Sequence, residues 1–166
     1  MKNIRSICSL MLLSLLANND SAGAESAAIS SQAAGLWNGF MGGARNGHAD
    51  EREVIPRQNP VMHRAWNTAI GTGYSGVSLI DDTAITMYSD HQFDYVIALN
   101  TTNGTEHWRY KIGPTYKGHG NSQDGPLSTP LVRGDRVYCL SPFGLFFALS
   151  LDSGDLQWQA DMRQEY

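Results

Sequence analysis

ALNTTNGTEHW, residues 98–108, recurs fifty residues later as ALSLDSGDLQW, residues 148–158. Both copies read Ala-Leu, four small or turn-forming residues, Gly, three further residues and Trp. Self-similarity at a period of about 40–50 residues is the sequence signature of stacked-repeat folds. The chain is therefore expected to consist of repeated supersecondary units.

Short strands surround both copies of this stretch. Runs of β-branched and aromatic residues separated by turn residues are the strand signal. The predicted strands are residues 78–80, 84–88, 95–99 and 105–110 in the first unit and 129–132, 136–140, 146–149 and 155–159 in the second. Ile80 aligns with Val132 at an offset of 52 and Ala98 with Ala148 at 50, which predicts two extra residues in the loop 89–94 of the first unit.

Four strands and one Trp per unit are typical of a β-propeller blade. We therefore predict an all-β fold, a partial β-propeller of four-stranded antiparallel blades at about 76–110 and 126–160. A blade needs neighbours on both faces. Trp suits this packing, because its ring buries a large area while the indole N–H can still find an acceptor.

The N-terminus has the order of a secretory signal. Lys2 and Arg5 precede an apolar run at residues 7–17, and Ala22-Gly23-Ala24 is an A-x-A cleavage site. We therefore predict a cleavable signal peptide at residues 1–24 and export to the periplasm or the extracellular space. A buried helix at the start of the fold is the alternative. The apolar run is shorter than the roughly 20 residues that cross a bilayer.

The remaining chain divides at the first aromatic residues. Residues 25–36 are rich in Ala and Ser, which predicts a flexible lead-in. The partial propeller is predicted to run from 37 to 166. An Asn-Gly pair at residues 46–47 predicts a type I′ hairpin turn, in which both residues have positive φ.

Charge and cysteine content restrict the partners and the redox chemistry. The net charge of −4 over 166 residues gives no basic footprint for nucleic acid. Cleavage after Ala24 would leave Cys139 as the only cysteine, because Cys8 lies in the signal. No intramolecular disulfide can then form, and the apolar surroundings of Cys139 predict a buried, unreactive thiol.

At the recurring stretch the chain resembles the quinoprotein-type (PQQ-like) β-propeller repeat family. That family repeats A-x-D-x-x-T-G-x-x-x-W, often called the tryptophan-docking motif. The matching residues are Ala98, Gly104, Trp108, Ala148, Gly154 and Trp158. Asn100 and Ser150 stand at the Asp position, and Asn103 and Ser153 at the Thr position. All four can hydrogen-bond locally, so the turn is expected to persist.

The resemblance extends to the flanking segments. Residues 37–47 resemble the lead-in of secreted family members, and residues 125–130 resemble the start of a blade, so the likeness covers roughly residues 36–160. Family members usually have seven or eight blades, whereas this chain carries two full units. The resemblance therefore implies a fragment or a truncated product. Self-association of several copies into one ring is the alternative.

The family includes both enzymes and binding proteins. The dehydrogenases hold PQQ with Ca²⁺, an acidic base and, in many members, a vicinal Cys-Cys pair, which this chain lacks. The acidic and Ca²⁺-binding positions cannot be assigned here, so no catalytic residue and no cofactor are predicted. The first hypothesis is a non-catalytic binding or scaffold propeller similar to the lipoprotein of the outer-membrane barrel-assembly machinery. The alternatives are a segment of a PQQ-dependent alcohol or sugar dehydrogenase and a carbohydrate-associated module.

The richest candidate binding segment is the loop 113–125 between the two units. Its polar and aromatic side chains are Tyr116, Lys117, His119, Asn121, Gln123 and Asp124. Connections between blades lie at a propeller rim, where binding residues concentrate. As a functional site, this loop would bind a protein or small-molecule partner. The simpler interpretation, which we favour on sequence alone, is a solvated insertion.

Two other patterns point to weaker sites. Residues 71–76 read GTGYSG, a literal G-x-G-x-x-G, but no helix can follow before the next turn, so a loop is predicted instead of a nucleotide site. Asp90, His91 and Asp94, and likewise the pair at 81–82, lack a recognised metal-ligand spacing. No metal site is predicted.

Overall fold

The computed structural model describes residues 37–48, 63–120 and 122–165. The first four strands are β1 (Ser78–Ile80), β2 (Thr83–Ser89), β3 (Phe93–Asn100) and β4 (Glu106–Pro114). The second four are β5 (Leu131–Arg133), β6 (Arg136–Leu140), β7 (Leu145–Ser150) and β8 (Leu156–Asp161), and the short helix α1 follows at Met162–Glu165. The predicted signal peptide and lead-in lie outside the described residues.

The eight strands form two four-stranded antiparallel sheets, each a meander. The spatial orders are β1-β2-β3-β4, here called blade 1, and β5-β6-β7-β8, here called blade 2. The prediction of an all-β fold built from four-stranded blades is confirmed. The last strand of blade 1 continues to Pro114, four residues beyond the predicted boundary at 110.

A shared apolar core joins the two blades. Blade 1 contributes Ile85, Met87, Val96, Ala98 and Trp108. Blade 2 contributes Val132, Val137, Cys139, Phe147 and Leu149. Because side chains alternate along a strand, each blade presents one of its two faces to this core. Burial of these residues supplies the main favourable term for holding the blades together.

The register corrects the predicted alignment of the two units. Ser78 lies opposite Ile85 in blade 1, and Leu131 lies opposite Tyr138 in blade 2. The equivalent of Ser78 is therefore Leu131, at an offset of 53 instead of 52. A slip of one residue exchanges the two faces of a strand. Val132 therefore lies on the face of blade 2 that is turned to blade 1, whereas Ile80, its predicted counterpart, lies on the face of blade 1 that is turned to blade 2, and both pack against the shared core. The loop between β2 and β3 is thus longer by three residues, not two.

The Asn-Gly prediction is wrong. Positive φ occurs at Met41, Gly42, Arg45 and Gly47, but not at Asn46. A type I′ turn needs positive φ at both central residues. Residues 39–47 instead form a series of turns, in which Gly42 lies against the ring of Trp37.

Residues 37 and 38 attach to the inner strands of both blades. The amide of Leu79 in β1 donates to the carbonyl of Trp37, and the amide of Val132 in β5 donates to the carbonyl of Asn38. The Asn38 Nδ2 also donates to the Val132 carbonyl at 3.1 Å. This segment therefore provides hydrogen-bond acceptors for edge amides of β1 and β5 that the sheets leave unpaired. Across the three described ranges, no helix is long and apolar enough to cross a membrane.

Candidate functional site

The recurring Gly and Trp residues form the contact between neighbouring units. The Trp108 Nε1 of β4 donates to the carbonyl of Leu151 in blade 2 at 2.7 Å. A Cβ placed on Gly154 would lie 2.6 Å from the Cε3 of Trp108. The ring of one blade thus lies directly on the turn of the next, and only glycine leaves space for it.

Trp66 makes the same contact with blade 1, which the recurring stretch did not predict. Its Nε1 donates to the carbonyl of Thr101 at 2.7 Å, and a Cβ on Gly104 would lie 2.5 Å from its Cε3. The signal in the sequence is the spacing of Trp66, 42 residues before Trp108. This signal is weak, because no Ala-Leu…Gly stretch precedes Trp66.

The altered positions of the recurring stretch still stabilise its turn. The Asn100 Oδ1 accepts the amides of Thr102 and Asn103. The Asn103 Oδ1 accepts the amide of Thr105, and the Ser150 Oγ accepts the amide of Ser153. The expectation that these side chains hydrogen-bond locally is confirmed.

The loop between the blades, here called the rim loop (residues 115–125), closes on itself. The amide of Gly125 donates to the carbonyl of Tyr116 at 2.9 Å. Gly120 and Gly125 have positive φ, which other residues rarely adopt. The amide of Thr115 donates to the carbonyl of Gln92 at 3.0 Å, and this bond fixes the start of the loop to the β2–β3 hairpin.

The charged residues of the rim loop pair with one another. The Lys117 Nζ lies 2.7 Å from the Asp124 Oδ2, and the Asp124 Oδ1 accepts the amide of Gly118 at 3.1 Å. These two contacts hold the pKa of Asp124 below its usual value. Of the predicted rim residues, Asn121 lies outside the described residues.

Aromatic rings gather beside this charged pair. Tyr116 contacts His119 edge-on, with centroids 5.9 Å apart, and contacts Phe143 in the β6–β7 turn at 5.7 Å. Phe143 is 45% exposed. We call Tyr116, His119 and Phe143 the rim patch. Phe143 was not predicted, because its place beside Tyr116 depends on the stacking of the two blades.

The G-x-G-x-x-G segment is a loop, as predicted, and it supports the rim loop. The Tyr74 amide donates to the carbonyl of Pro126. The Tyr74 hydroxyl accepts the amide of Gln123 at 2.8 Å. A Cβ on Gly71 would fall 1.7 Å from the carbonyl oxygen of Ser89. The glycines therefore allow close backbone packing.

The acidic residues that were considered as metal ligands lie at two different rims. Asp81 and Asp82 line a cleft of about 250 Å³ between the blades at the rim opposite to the rim loop, together with His107 and Asp152. The Asp90 Oδ1 accepts the amides of Gln92 and Phe93, which lowers the pKa of Asp90. Within the described ranges, no three His, Cys, Asp or Glu side chains gather as a metal-binding group.

The inner strands of the two described blades supply no Ca²⁺ site for PQQ. A propeller places its inner strands around a central channel, and PQQ is a multiply charged carboxylate that needs cationic and metal contacts. The amides of Leu79 in β1 and Val132 in β5 already donate to the carbonyls of residues 37 and 38, and the Val132 side chain is buried in the shared core.

Cys139 is buried between the blades, as predicted. It is a free thiol with 1% of its surface exposed. Burial raises the pKa of this thiol far above its usual value. The nucleophilic thiolate is therefore suppressed in the folded chain.

The chain matches a known family and several known proteins. The sequence profile described as outer membrane protein assembly factor BamB matches residues 61–166. The quinate/shikimate dehydrogenase (quinone) of Acinetobacter baylyi is 32% identical over 69 residues, which cover 42% of this chain and 8% of that enzyme.

One solved structure shows the same fold. Quinohemoprotein alcohol dehydrogenase ADHIIG from Pseudomonas putida HK5 has a TM-score of 0.59 at 16% identity over 82% of this chain and 21% of its own. BamB from Moraxella catarrhalis has a TM-score of 0.45 at 24% identity over 60% of this chain and 28% of its own. The chain thus spans less than a third of each of these proteins.

Proposed function

Since this chain belongs to the PQQ-like repeat family described as outer membrane protein assembly factor BamB, we propose that it is a non-catalytic propeller segment that binds a protein partner through the rim loop. Export of the mature chain to the periplasm or beyond is part of this proposal. The observation that carries it is the rim patch, an aromatic cluster that spans both blades at one rim.

The chemistry of the rim patch suits protein binding. Aromatic side chains are enriched where protein interfaces gain most of their energy. Phe143 and Lys117 are exposed beside the half-buried Tyr116. An apolar anchor flanked by an ion pair resembles the centre and rim of a small interface.

The hydrogen bonds beneath the rim patch support the idea that the rim loop is held rigidly. The rim loop is bonded to the β2–β3 hairpin through Thr115 and to the segment 71–76 through Tyr74. Side chains that are already ordered lose less entropy on binding. A partner would thus meet a preformed surface.

A segment of a quinone-dependent dehydrogenase is the second candidate. The 32% identity to quinate/shikimate dehydrogenase (quinone) favours it. This candidate requires PQQ and Ca²⁺, with contacts that would come from residues other than those of β1 and β5. It predicts quinone absorbance after reconstitution.

Affinity purification with quantitative mass spectrometry tests the proposal. The tagged full chain is expressed in its source cells as the wild type, as the rim double variant Tyr116→Ser/Phe143→Ser, and as Leu156→Ser. Leu156 is a matched control, because it is an exposed apolar residue near the opposite rim.

We expect one or more proteins to be enriched at least about tenfold with the wild type and with Leu156→Ser, and lost with the rim double variant, because hot-spot aromatics each contribute about 2 kcal/mol or more. Equal enrichment with all three chains would reject the rim as the binding surface. Stoichiometric quinone uptake in the presence of Ca²⁺ would favour the dehydrogenase candidate.

A further inference from the structure

The central strands of blade 1 extend further than those of blade 2 at the rim that carries the rim loop. Its β2–β3 hairpin continues to the pair Ser89 and Asp94. The registers relate β2 to β6 by an offset of 53 residues and β3 to β7 by an offset of 50. Ser89 and Asp94 therefore correspond to Pro142 and Gly144 of blade 2, which lie in the β6–β7 turn. The repeat folds without a carboxylate there, so Asp94 is an addition to the common blade.

Asp94 lies in a buried row of oxygen-bearing side chains. Thr72 pairs with Ser89 through two backbone hydrogen bonds, and Ser89 lies opposite Asp94 in the sheet. Directly paired residues point to the same face. The Ser89 Oγ lies 2.7 Å from the Thr115 Oγ1. We call Thr72, Ser89, Asp94 and Thr115 the Asp94 cluster.

Two oxygens of this cluster have no hydrogen-bond partner. Asp94 is 1% exposed, and its Oδ2 accepts the amide of Tyr116 at 3.2 Å. Over residues 63–120 and 122–165, neither the Asp94 Oδ1 nor the Thr72 Oγ1 finds a partner, although both atoms are buried. A buried carboxylate oxygen without a partner is strongly unfavourable.

The charged groups that act on Asp94 are themselves acidic. Burial is the main cause that raises the pKa of Asp94, and the charges of Asp124 and Asp90 add to this rise, whereas the Tyr116 amide and the neighbouring Ser89 hydroxyl oppose it. Lys117 of the rim loop is paired with Asp124. Among the residues that the structure describes, no cationic side chain hydrogen-bonds to Asp94, so a bound cation would supply the contact that its Oδ1 lacks.

We propose that the Asp94 cluster binds a hard, oxygen-coordinated cation of the calcium or alkali-metal class beneath the rim loop. Carboxylate and hydroxyl oxygens are the ligands that such cations prefer. The site suits an ion more than an organic ligand, because a Cβ on Gly125 would already lie 2.7 Å from the Thr72 carbonyl oxygen and 3.2 Å from the Ser89 Cβ.

This cation would fix the rim loop to blade 1. Asp94 holds the amide of Tyr116, which begins the rim patch. A bound ion would keep Asp94 ionised, and charge-assisted hydrogen bonds are stronger than neutral ones. The cation site does not depend on the identity of the partner at the rim.

Calorimetric titration of the chelator-treated full chain with Ca²⁺, and separately with Na⁺ against choline, tests the site. The variants are Asp94→Asn and Thr72→Val, and the matched control is Asp152→Asn, an exposed carboxylate at the opposite rim. We expect one site in the wild type and in Asp152→Asn. The affinity should fall at least about tenfold in Asp94→Asn and to a smaller degree in Thr72→Val, because both lose a ligand oxygen.

Hydrogen exchange at the Tyr116 amide gives a second readout. The added cation should slow exchange at this amide in the wild type and leave it unchanged in Asp94→Asn. Asp94→Asn should remain folded without the cation, because it removes an uncompensated buried charge. Binding of equal strength in Asp94→Asn, or no binding of either ion to the wild type, would overturn the proposal.

Discussion

At the scale of single residues, the contact between Trp and Gly decides how the units stack. Trp66 and Trp108 each donate to a turn carbonyl of the following blade, and each ring occupies the space above a glycine. The sequence predicted Gly104 and Gly154 as turn residues. Their second role, leaving room for a ring from another unit, could not be predicted without the structure.

Gly154→Ala should therefore be more destabilising than an ordinary glycine substitution. The new methyl group would meet the ring of Trp108, and alanine is strained at the φ of 72°. We expect a loss of about 2–4 kcal/mol in the free energy of unfolding by urea.

Gly134→Ala is the control for the backbone contribution. Gly134 has a φ of 60°, but a Cβ placed on it would meet nothing within 4 Å, so only strain of about 1–2 kcal/mol is expected. Equal losses in the two variants would mean that the Trp108 ring does not lie on Gly154 in solution.

The stability should also depend on the ionisation of Asp94. Its folded pKa is raised, so the folded state holds this proton to higher pH than the unfolded state does. Without added cation, the free energy of unfolding should fall as the pH rises from about 3.9 through the folded pKa. Urea unfolding of the wild type and Asp94→Asn across this range would test it. A difference between them that does not change with pH would contradict the raised pKa.

At the scale of elements, residues 37 and 38 tie the inner strands of the two blades together. Asn38→Ala would remove the hydrogen bond from its Nδ2 to the Val132 carbonyl, at a cost of about 1 kcal/mol. Exchange at the Val132 amide, which donates to Asn38, should speed up about fivefold.

Asn46→Ala serves as the control for this substitution. Among the described residues, the Asn46 Oδ1 accepts the local amide of His48, so exchange at Val132 should not change. Faster exchange at Val132 in both variants would point to a general loosening of residues 37–48.

The Cys139 thiol should report the opening of the blade pair. Because it is buried in the shared core and its pKa is raised, alkylation at a pH of about 8 should be slow in the folded chain and should follow the unfolding transition in urea. Peptide mapping distinguishes it from Cys8. Rapid native labelling of Cys139 would show that the blades separate readily.

At the scale of the whole molecule, the second face of blade 2 continues the pattern of the repeats. Tyr138, Phe146 and Trp158 cluster there with centroids 5.1–6.4 Å apart and remain half-buried. Trp158 holds the position that Trp66 and Trp108 hold in their own contacts. This face therefore has the composition that packs against a further repeat unit.

Much of the architecture could be predicted from local sequence, because the recurring stretch and the turn residues specify strands. The predicted alignment of β1 with β5 was wrong by one position, since a short strand contains too few residues to fix its register. Phe143 and the burial of Asp94 could not be predicted, because both depend on contacts between elements distant in the chain.

Site-specific photocrosslinking at position 143 in the source cells, with position 156 as the control, tests whether the rim patch binds a protein. A binding surface at the rim patch predicts a discrete adduct with a protein from position 143 and none from position 156. Absence of an adduct at 143, or the same adducts from both positions, would contradict it.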